Sequence, residues 1–88
     1  MKKAKYSSGL YFLERRLFMS ELELLELFSK NLRRMMKEDN IRQEELSNEI
    51  GVSQQMISRY MNGQSIPSFI TVVKIADALF CSLDEFLK

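Results

Sequence analysis

The amino-acid sequence predicts an all-α domain of five helices, and three features of the chain indicate it. Apolar residues recur at helical spacing in successive stretches between residue 20 and the C-terminus. Serines that can accept hydrogen bonds from free helical amides precede three of these stretches, at Ser20, Ser53 and Ser68. Glycines suited to left-handed backbone follow two of them, at Gly51 and Gly63.

Composition limits the classes of function open to the chain. Its 88 residues suffice for one domain, and with 45% of them hydrophobic the chain can bury a small core. The net charge of +1 does not by itself indicate a nucleic-acid partner. With Cys81 as the single cysteine and no histidine, an intrachain disulfide, a Cys/His zinc site and Ser-His or Cys-His catalysis are excluded. We predict neither enzymatic activity nor a cofactor.

We do not expect the N-terminal residues to form a secretion signal or a membrane span. The lysines of residues 1–5 resemble the charged front of a signal peptide, but Glu14 interrupts the apolar run that follows. A signal peptide needs roughly 7–15 apolar residues in succession, and a membrane span needs about 20. We therefore expect a cytoplasmic protein with no membrane partner.

The chain divides into an N-terminal extension, residues 1–19, and a folded domain, residues 20–88. The first nine residues are polar and are typical of a flexible tail. Residues 10–19 are largely apolar: their leucines follow helical spacing, whereas their aromatic residues also suit a short strand or hairpin. Two roles stay open for this segment, which either packs back onto the domain or pairs two subunits.

The first predicted helix of the domain starts at a capping box formed by Ser20 and Glu23. Glutamates occupy its first half and cations its second half, which complements the helix dipole. The pair Asp39-Asn40 ends it, because asparagine tolerates the left-handed conformation. Its apolar stripe consists of Leu24, Leu25, Phe28, Leu32, Met35 and Met36.

Two short helical stretches around a tight turn form the centre of the domain. The first, Gln43 to Ile50, is followed by the turn Gly51-Val52-Ser53 and by the second, Gln54 to Met61. The small Ser47 allows the two helices to approach closely, and Ser53 can cap the second helix. The arrangement looks like a helix-turn-helix.

The second helix of this pair has one buried side and one side suited to reading DNA. Ile57 and Tyr60 give it an apolar face, and polar side chains lie off that face. Glutamine can bond bidentately to adenine, and arginine to guanine, in the major groove. The residues predicted to read bases are Gln54, Gln55, Ser58 and Arg59. Those predicted to contact phosphates, at helix N-termini or after the second helix, are Gln43, Ser53, Asn62 and Gln64.

Two further helices are predicted after a loop that contains Pro67. Ser68 caps the fourth helix, which runs from Phe69 to Phe80 and ends at Cys81-Ser82. Its predicted apolar face consists of Ile70, Val73, Ile75, Ala76 and Leu79. The spacing of Ser82 and Glu85 predicts a second capping box and a short last helix, with Leu83, Phe86 and Leu87 directed inward.

Residues 28–87 resemble the five-helix, lambda-repressor-like DNA-binding domain of phage repressors and Cro proteins, the XRE-like helix-turn-helix family. The matching pieces are Phe28 to Met36, Gln43 to Ser47, Ile50 to Ser53, Ile57 to Gly63, Pro67, and Ile75 to Leu79. The resemblance implies that Gln54, Gln55 and Arg59 read bases, while Gln43 and Asn62 hold phosphates. The chain departs from the family at Ser47, usually alanine, and at Met61, often glutamate.

We accordingly expect a sequence-specific regulator of transcription that binds double-stranded DNA and acts as a repressor. One small reading head makes few contacts, so a homodimer on a two-fold site is expected. Regulation is expected through occupancy of the site or through a separate protein partner. Two alternatives stay open: an antitoxin that represses its own operon, and a protein-interaction module that kept the fold without binding DNA.

Overall fold

The computed structural model describes residues 19–88 and consists, over that range, of helices joined by short loops. The elements are α1 (Glu21–Glu38), α2 (Gln43–Ile50), α3 (Gln54–Met61), α4 (Phe69–Ala78) and a terminal 3-10 helix, η1 (Leu83–Leu87). The all-α prediction is confirmed, and the fifth predicted helix is a 3-10 helix. The predicted conformations and roles of residues 1–18 lie outside the described residues.

Helix α1 begins and ends as its sequence predicts. The Glu23 amide donates to Ser20 Oγ at 3.1 Å, and the Ser20 amide donates to Glu23 Oε1 at 2.9 Å. Hydrogen bonds from the Ser20 amide and hydroxyl hold the pKa of the Glu23 carboxyl below its ordinary value. At the other end Asn40 adopts a left-handed φ of 55°, and the Ile41 amide closes the turn on the Met36 carbonyl at 2.8 Å.

The hydrophobic core forms around α1, which packs against α3 and η1, while α2 packs against α3 and α4. The rings of Phe28 in α1 and Phe86 in η1 lie 5.0 Å apart and are tilted by 37°. Leu24 and Leu25, at the start of the predicted stripe, are only half-buried. The buried apolar residues are Phe28, Leu32, Met35, Met36, Leu46, Ile50, Ile57, Tyr60, Ile75, Ala76, Leu79 and Phe86.

Helix α4 begins at Phe69 behind its Ser68 cap, as predicted, but departs from its prediction at its C-terminal end and in its apolar face. It stops at Ala78 rather than at Phe80, because Phe80 takes a left-handed φ of 53° and the Cys81 amide donates to the Ala76 carbonyl at 3.0 Å. Near its start Ile70 is exposed, so the predicted apolar face was wrong at that position. The helix buries Ile75 and Ala76, as predicted, and half-buries Val72 and Val73.

The second predicted capping box is wrong. The Ser82 side chain makes no capping hydrogen bond, and the Glu85 amide donates to the Ser82 backbone carbonyl at 3.2 Å. The Glu85 carboxylate pairs with Lys88 Nζ at 2.8 Å, which lowers the pKa of that carboxyl. The tighter 3-10 geometry buries Phe86 but leaves Leu83 exposed, contrary to its prediction.

Candidate nucleic-acid interface

The turn between α2 and α3 has the geometry that its sequence predicts. Gly51 takes a φ of 76°, and its amide donates to the Ser47 carbonyl at 3.0 Å. No atom lies within 4 Å of the position that a Cβ would take at Gly51, so the backbone angle alone requires glycine there. Ser53 Oγ accepts the Met56 amide at 3.1 Å and caps α3. Half-buried Val52 packs against the core beneath the turn.

Helix α3 presents a polar face to solvent because its opposite face is anchored in the core. Ile57 and Tyr60 are buried, which turns Gln54, Gln55 and Arg59 outward, where all three are exposed. Ser58 is half-buried, and its hydroxyl lies 3.4 Å from Asn62 Nδ2. Three of the four predicted base readers therefore share one exposed surface, with Ser58 at its edge.

The predicted phosphate contacts occupy separate positions around α3. Ser53 lies at its N-terminus, beside Gln54, although the Ser53 oxygen already accepts an amide hydrogen bond. Asn62 and Gln64 follow the C-terminus, roughly 12 Å away along an eight-residue helix. The Asn62 side chain donates to the Ser58 carbonyl at 2.9 Å, so one of its amide protons is occupied.

Gln64 and Gln43 keep accessible side chains. Gln64 is exposed, and its backbone amide donates to the Arg59 carbonyl at 2.8 Å, which closes the turn at Gly63. Gln43 is the half-buried first residue of α2. Its helix starts without a side-chain cap from Arg42, and Glu45 instead accepts the Arg42 amide at 2.9 Å.

Helix α1 holds the C-terminal end of α3 through two side chains for which the sequence predicted no such role. Ser29 Oγ donates to the Tyr60 carbonyl at 2.6 Å and is only 2% exposed. Arg33 Nη1 donates to the Met61 carbonyl. These bonds satisfy carbonyls that a helix end leaves free, and they orient α3 against the body of the domain. A polar Ser29 within the apolar stripe of α1 was the available signal in the sequence.

The remaining cations of the second half of α1 have different environments. Arg34 Nη2 donates to Asn31 Oδ1 at 3.2 Å, and Arg34 pairs with Glu38 at 3.1 Å. Buried Asn31 in turn donates to the Phe86 carbonyl at 2.9 Å and so ties η1 to α1. Lys30 and Lys37 are exposed. Two of the four cations, Arg33 and Arg34, thus make intramolecular contacts.

Within residues 19–88 no cluster of three or more His, Cys, Asp or Glu side chains is placed to hold a metal ion. The same residues include no helix with the length and apolar character to cross a membrane. Burial, followed by the nearby charges of Glu85 and Asp39, raises the pKa of the Cys81 thiol, which disfavours the reactive thiolate.

Replacing Ser29 with alanine is expected to destabilise the domain by about 1–3 kcal/mol, because the buried Tyr60 carbonyl loses its side-chain donor. Urea unfolding followed by circular dichroism measures the change. Ser82→Ala is the matched control, since the Ser82 side chain makes no capping bond and the same chemical change should alter stability by less than about 0.5 kcal/mol. Equal effects of the two substitutions would contradict the role assigned to Ser29.

Comparison with known proteins identifies the same region. A family model described as helix-turn-helix matches residues 32–86. The cryptic phage CTXphi transcriptional repressor RstR of Vibrio cholerae serotype O1 is 41% identical over 46 residues, which are 52% of this chain and 41% of the relative. The uncharacterized HTH-type transcriptional regulator YqaE of Bacillus subtilis is 29% identical over 62 residues, which are 70% of this chain and 53% of the relative. The chain thus spans about half the length of these curated relatives.

A solved structure has the same arrangement of helices. The restriction-modification controller protein C.AhdI from Aeromonas hydrophila superposes with a TM-score of 0.67 and 26% sequence identity. The match covers 70% of this chain and 94% of the controller protein.

Proposed function

The chain belongs to the XRE-type helix-turn-helix family, whose domain covers residues 32–86, and we propose that it is a cytoplasmic, DNA-binding protein that represses transcription. Its relatives include a protein named as a transcriptional repressor and a restriction-modification controller protein. The observation that carries the proposal is the polar face of α3, where Gln54, Gln55 and Arg59 are exposed together.

Base reading follows from the position of these side chains on α3. The N-terminal end of the second helix enters the major groove in this motif, and Gln54 and Gln55 are its first two residues. Their amides match the donor and acceptor edge of adenine, and the guanidinium of Arg59 matches the two acceptors of guanine. Ser58 is half-buried at the edge of this face. Its shorter side chain can reach only a base next to those that the longer side chains contact.

Phosphate contacts on both sides of α3 hold the helix in register on the duplex. Gln43 is the first residue of α2 and Ser53 is the N-cap of α3, where free amides and the helix dipole favour an anion. Asn62 and Gln64 contact the DNA backbone beyond the other end of α3, where the Asn62 side-chain amide also donates to the Ser58 carbonyl and lies 3.4 Å from the Ser58 hydroxyl. These contacts position the protein without specifying sequence.

A homodimer on a two-fold site supplies the affinity that one domain lacks. With a net charge of +1, bulk electrostatics contributes little to binding. Two reading heads on half-sites about one helical turn apart, roughly 34 Å, double the number of specific contacts. The selected DNA is therefore expected to be an inverted repeat.

Selection from a random duplex library, followed by titration at several salt concentrations, tests the proposal. We expect enrichment of an inverted repeat and a logarithm of affinity that falls linearly with the logarithm of salt concentration. The slope should be negative, at about −0.9 for each phosphate that a Lys or Arg side chain neutralises. A chain that enriches no sequence and binds no duplex at low salt is not a DNA-binding regulator.

A further inference from the structure

Phe80 has an environment that neither the local backbone nor the core explains. Its φ of 53° is left-handed, a conformation that glycine or asparagine adopts after a helix at lower cost than phenylalanine. Its side chain is 95% exposed, so the ring contributes nothing to the core. A costly backbone angle beneath an exposed aromatic ring indicates a role at the surface.

Phe80 lies between two grooves at the C-terminal end of α4, and together they form what we call the Phe80 face. The first groove, of about 370 Å³, lies between α2 and α4 and includes Glu49 and Asp77 in its lining. The second, of about 680 Å³, lies between the C-terminal half of α1 and the start of η1 and includes Asp39 and Glu85. Phe80 lines both grooves, and among the described residues none of α3 lines either.

Negative charge predominates on the Phe80 face. The two grooves are lined by five carboxylates against the cations of Arg34 and Lys74, and Arg34 already pairs with Glu38 at 3.1 Å. Three of the five carboxylates form no ion pair within residues 19–88, namely those of Asp39, Glu49 and Asp77. Carboxylates attract ammonium groups, and the face of an aromatic ring does so as well. The Phe80 face is therefore suited to a cationic partner with an apolar side chain.

The charges of the chain are unevenly distributed along its length. Residues 1–18 contain five cations and one carboxylate, which gives a net charge of +4. Because the whole chain has a net charge of +1, residues 19–88 carry −3. Residues 2–6, which read Lys-Lys-Ala-Lys-Tyr, combine three cations with one aromatic ring. They complement the Phe80 face in both respects.

The length of the chain allows residues 2–6 to reach this face. The described residues begin at Met19, next to the start of α1, and the second groove lies at the other end of that helix, beside Asp39. Helix α1 has 18 residues and is therefore roughly 27 Å long. Residues 7–18 can span up to about 40 Å when extended, which exceeds that distance.

We propose that residues 2–6 bind the Phe80 face of the same chain, with their lysines paired to the carboxylates on either side of Phe80 and Tyr6 packed against the Phe80 ring. The contact covers an exposed aromatic side chain and brings the positive charge of the N-terminal extension to the excess negative charge of the domain. Lysines that are bound here are withheld from other anions. The inference goes beyond the proposed function and holds whether or not the protein binds DNA.

Photo-crosslinking in the full chain tests the contact. Benzoylphenylalanine replaces Tyr6, and mass spectrometry identifies the peptides joined to it. We expect products with the peptides that contain Asp39 or Asp77, each carrying a single isotope when unlabelled and nitrogen-15 chains are mixed. Mixed-isotope products would overturn the inference by showing that the segment binds a second copy. Products confined to other parts of the domain would overturn it as well.

Phe80→Gly separates the contact from folding. Glycine suits the left-handed angle, so the midpoint of urea unfolding should stay the same or rise. The yield of the crosslink should fall at least about tenfold, because the ring supplies the apolar part of the contact. Phe69→Ala is the matched control, since Phe69 is 70% exposed and lines neither groove, and it should leave the yield unchanged. Equal yields in the two variants would contradict the role of Phe80.

Charge is tested by a combined variant of the three lysines, Lys2→Gln, Lys3→Gln and Lys5→Gln. Its crosslinking yield should fall several-fold, because each exposed ion pair contributes modestly. Raising the salt concentration from about 0.05 M to about 0.5 M should lower the yield of the unsubstituted segment in the same way, since salt screens exposed charges. A yield that responds neither to the lysines nor to salt would overturn the pairing with the carboxylates.

Discussion

Arg59→Ala is expected to weaken binding to the selected DNA by about 1–3 kcal/mol for each half-site, which is a factor of roughly 5–150. Arg59 is exposed on α3, and if it reads guanine as proposed, its truncation leaves the guanine edge without a bidentate partner. Binding to an unrelated duplex should change little, because non-specific binding depends mainly on phosphate contacts. Fluorescence anisotropy with the two duplexes measures the ratio.

Lys74→Ala is the control for Arg59→Ala, because it removes one exposed positive charge from α4, away from the polar face of α3. It should reduce binding to both duplexes slightly and equally. If Arg59→Ala also weakened both duplexes equally, Arg59 would be a phosphate contact and not a base reader. Gln54→Ala tests the adenine contact in the same way, with discrimination lost at a different base pair.

Ile57→Ala is expected to lower the free energy of unfolding by about 2–5 kcal/mol. Ile57 is fully buried and belongs to the same helix as the predicted base readers. The substitution removes apolar contacts and leaves a cavity beneath α3. Small domains have total stabilities of about 5–15 kcal/mol, so the substitution should remove a large part of the stability. Urea unfolding followed by circular dichroism gives the change.

Gln55→Ala is the control for Ile57→Ala, because it truncates an exposed side chain of the same helix. Its effect on stability should stay within about 0.5 kcal/mol, while its effect on binding the selected DNA should be larger. Ile57→Val should fall between the two, at about 0.5–1.5 kcal/mol. If Ile57→Ala left the free energy of unfolding unchanged, α3 would be held by its hydrogen bonds to α1 rather than by its apolar face.

The sequence predicted the limits of α2 and α3 to the residue, because local interactions decide them. Ser53 caps α3 through an amide three residues away, and Gly51 supplies a backbone angle that other residues disfavour. The exposed face of α3 followed from the spacing of Ile57 and Tyr60. The same short-range patterns predicted the family and the all-α class, whereas the DNA contacts themselves stay a prediction.

Only the tertiary structure decided which apolar residues of the C-terminal half are buried. Ile70 and Leu83 fit the helical spacing of a core face, yet both are exposed, because periodicity cannot show where neighbouring helices end. The bonds from Ser29 and Arg33 to the end of α3 join residues 31 and 28 positions apart, a separation at which local propensity carries no information. Local hydrogen bonds and backbone angles are encoded in consecutive residues, whereas the support of α3 by α1 and the selection of buried side chains arise from contacts that exist only after the chain has folded.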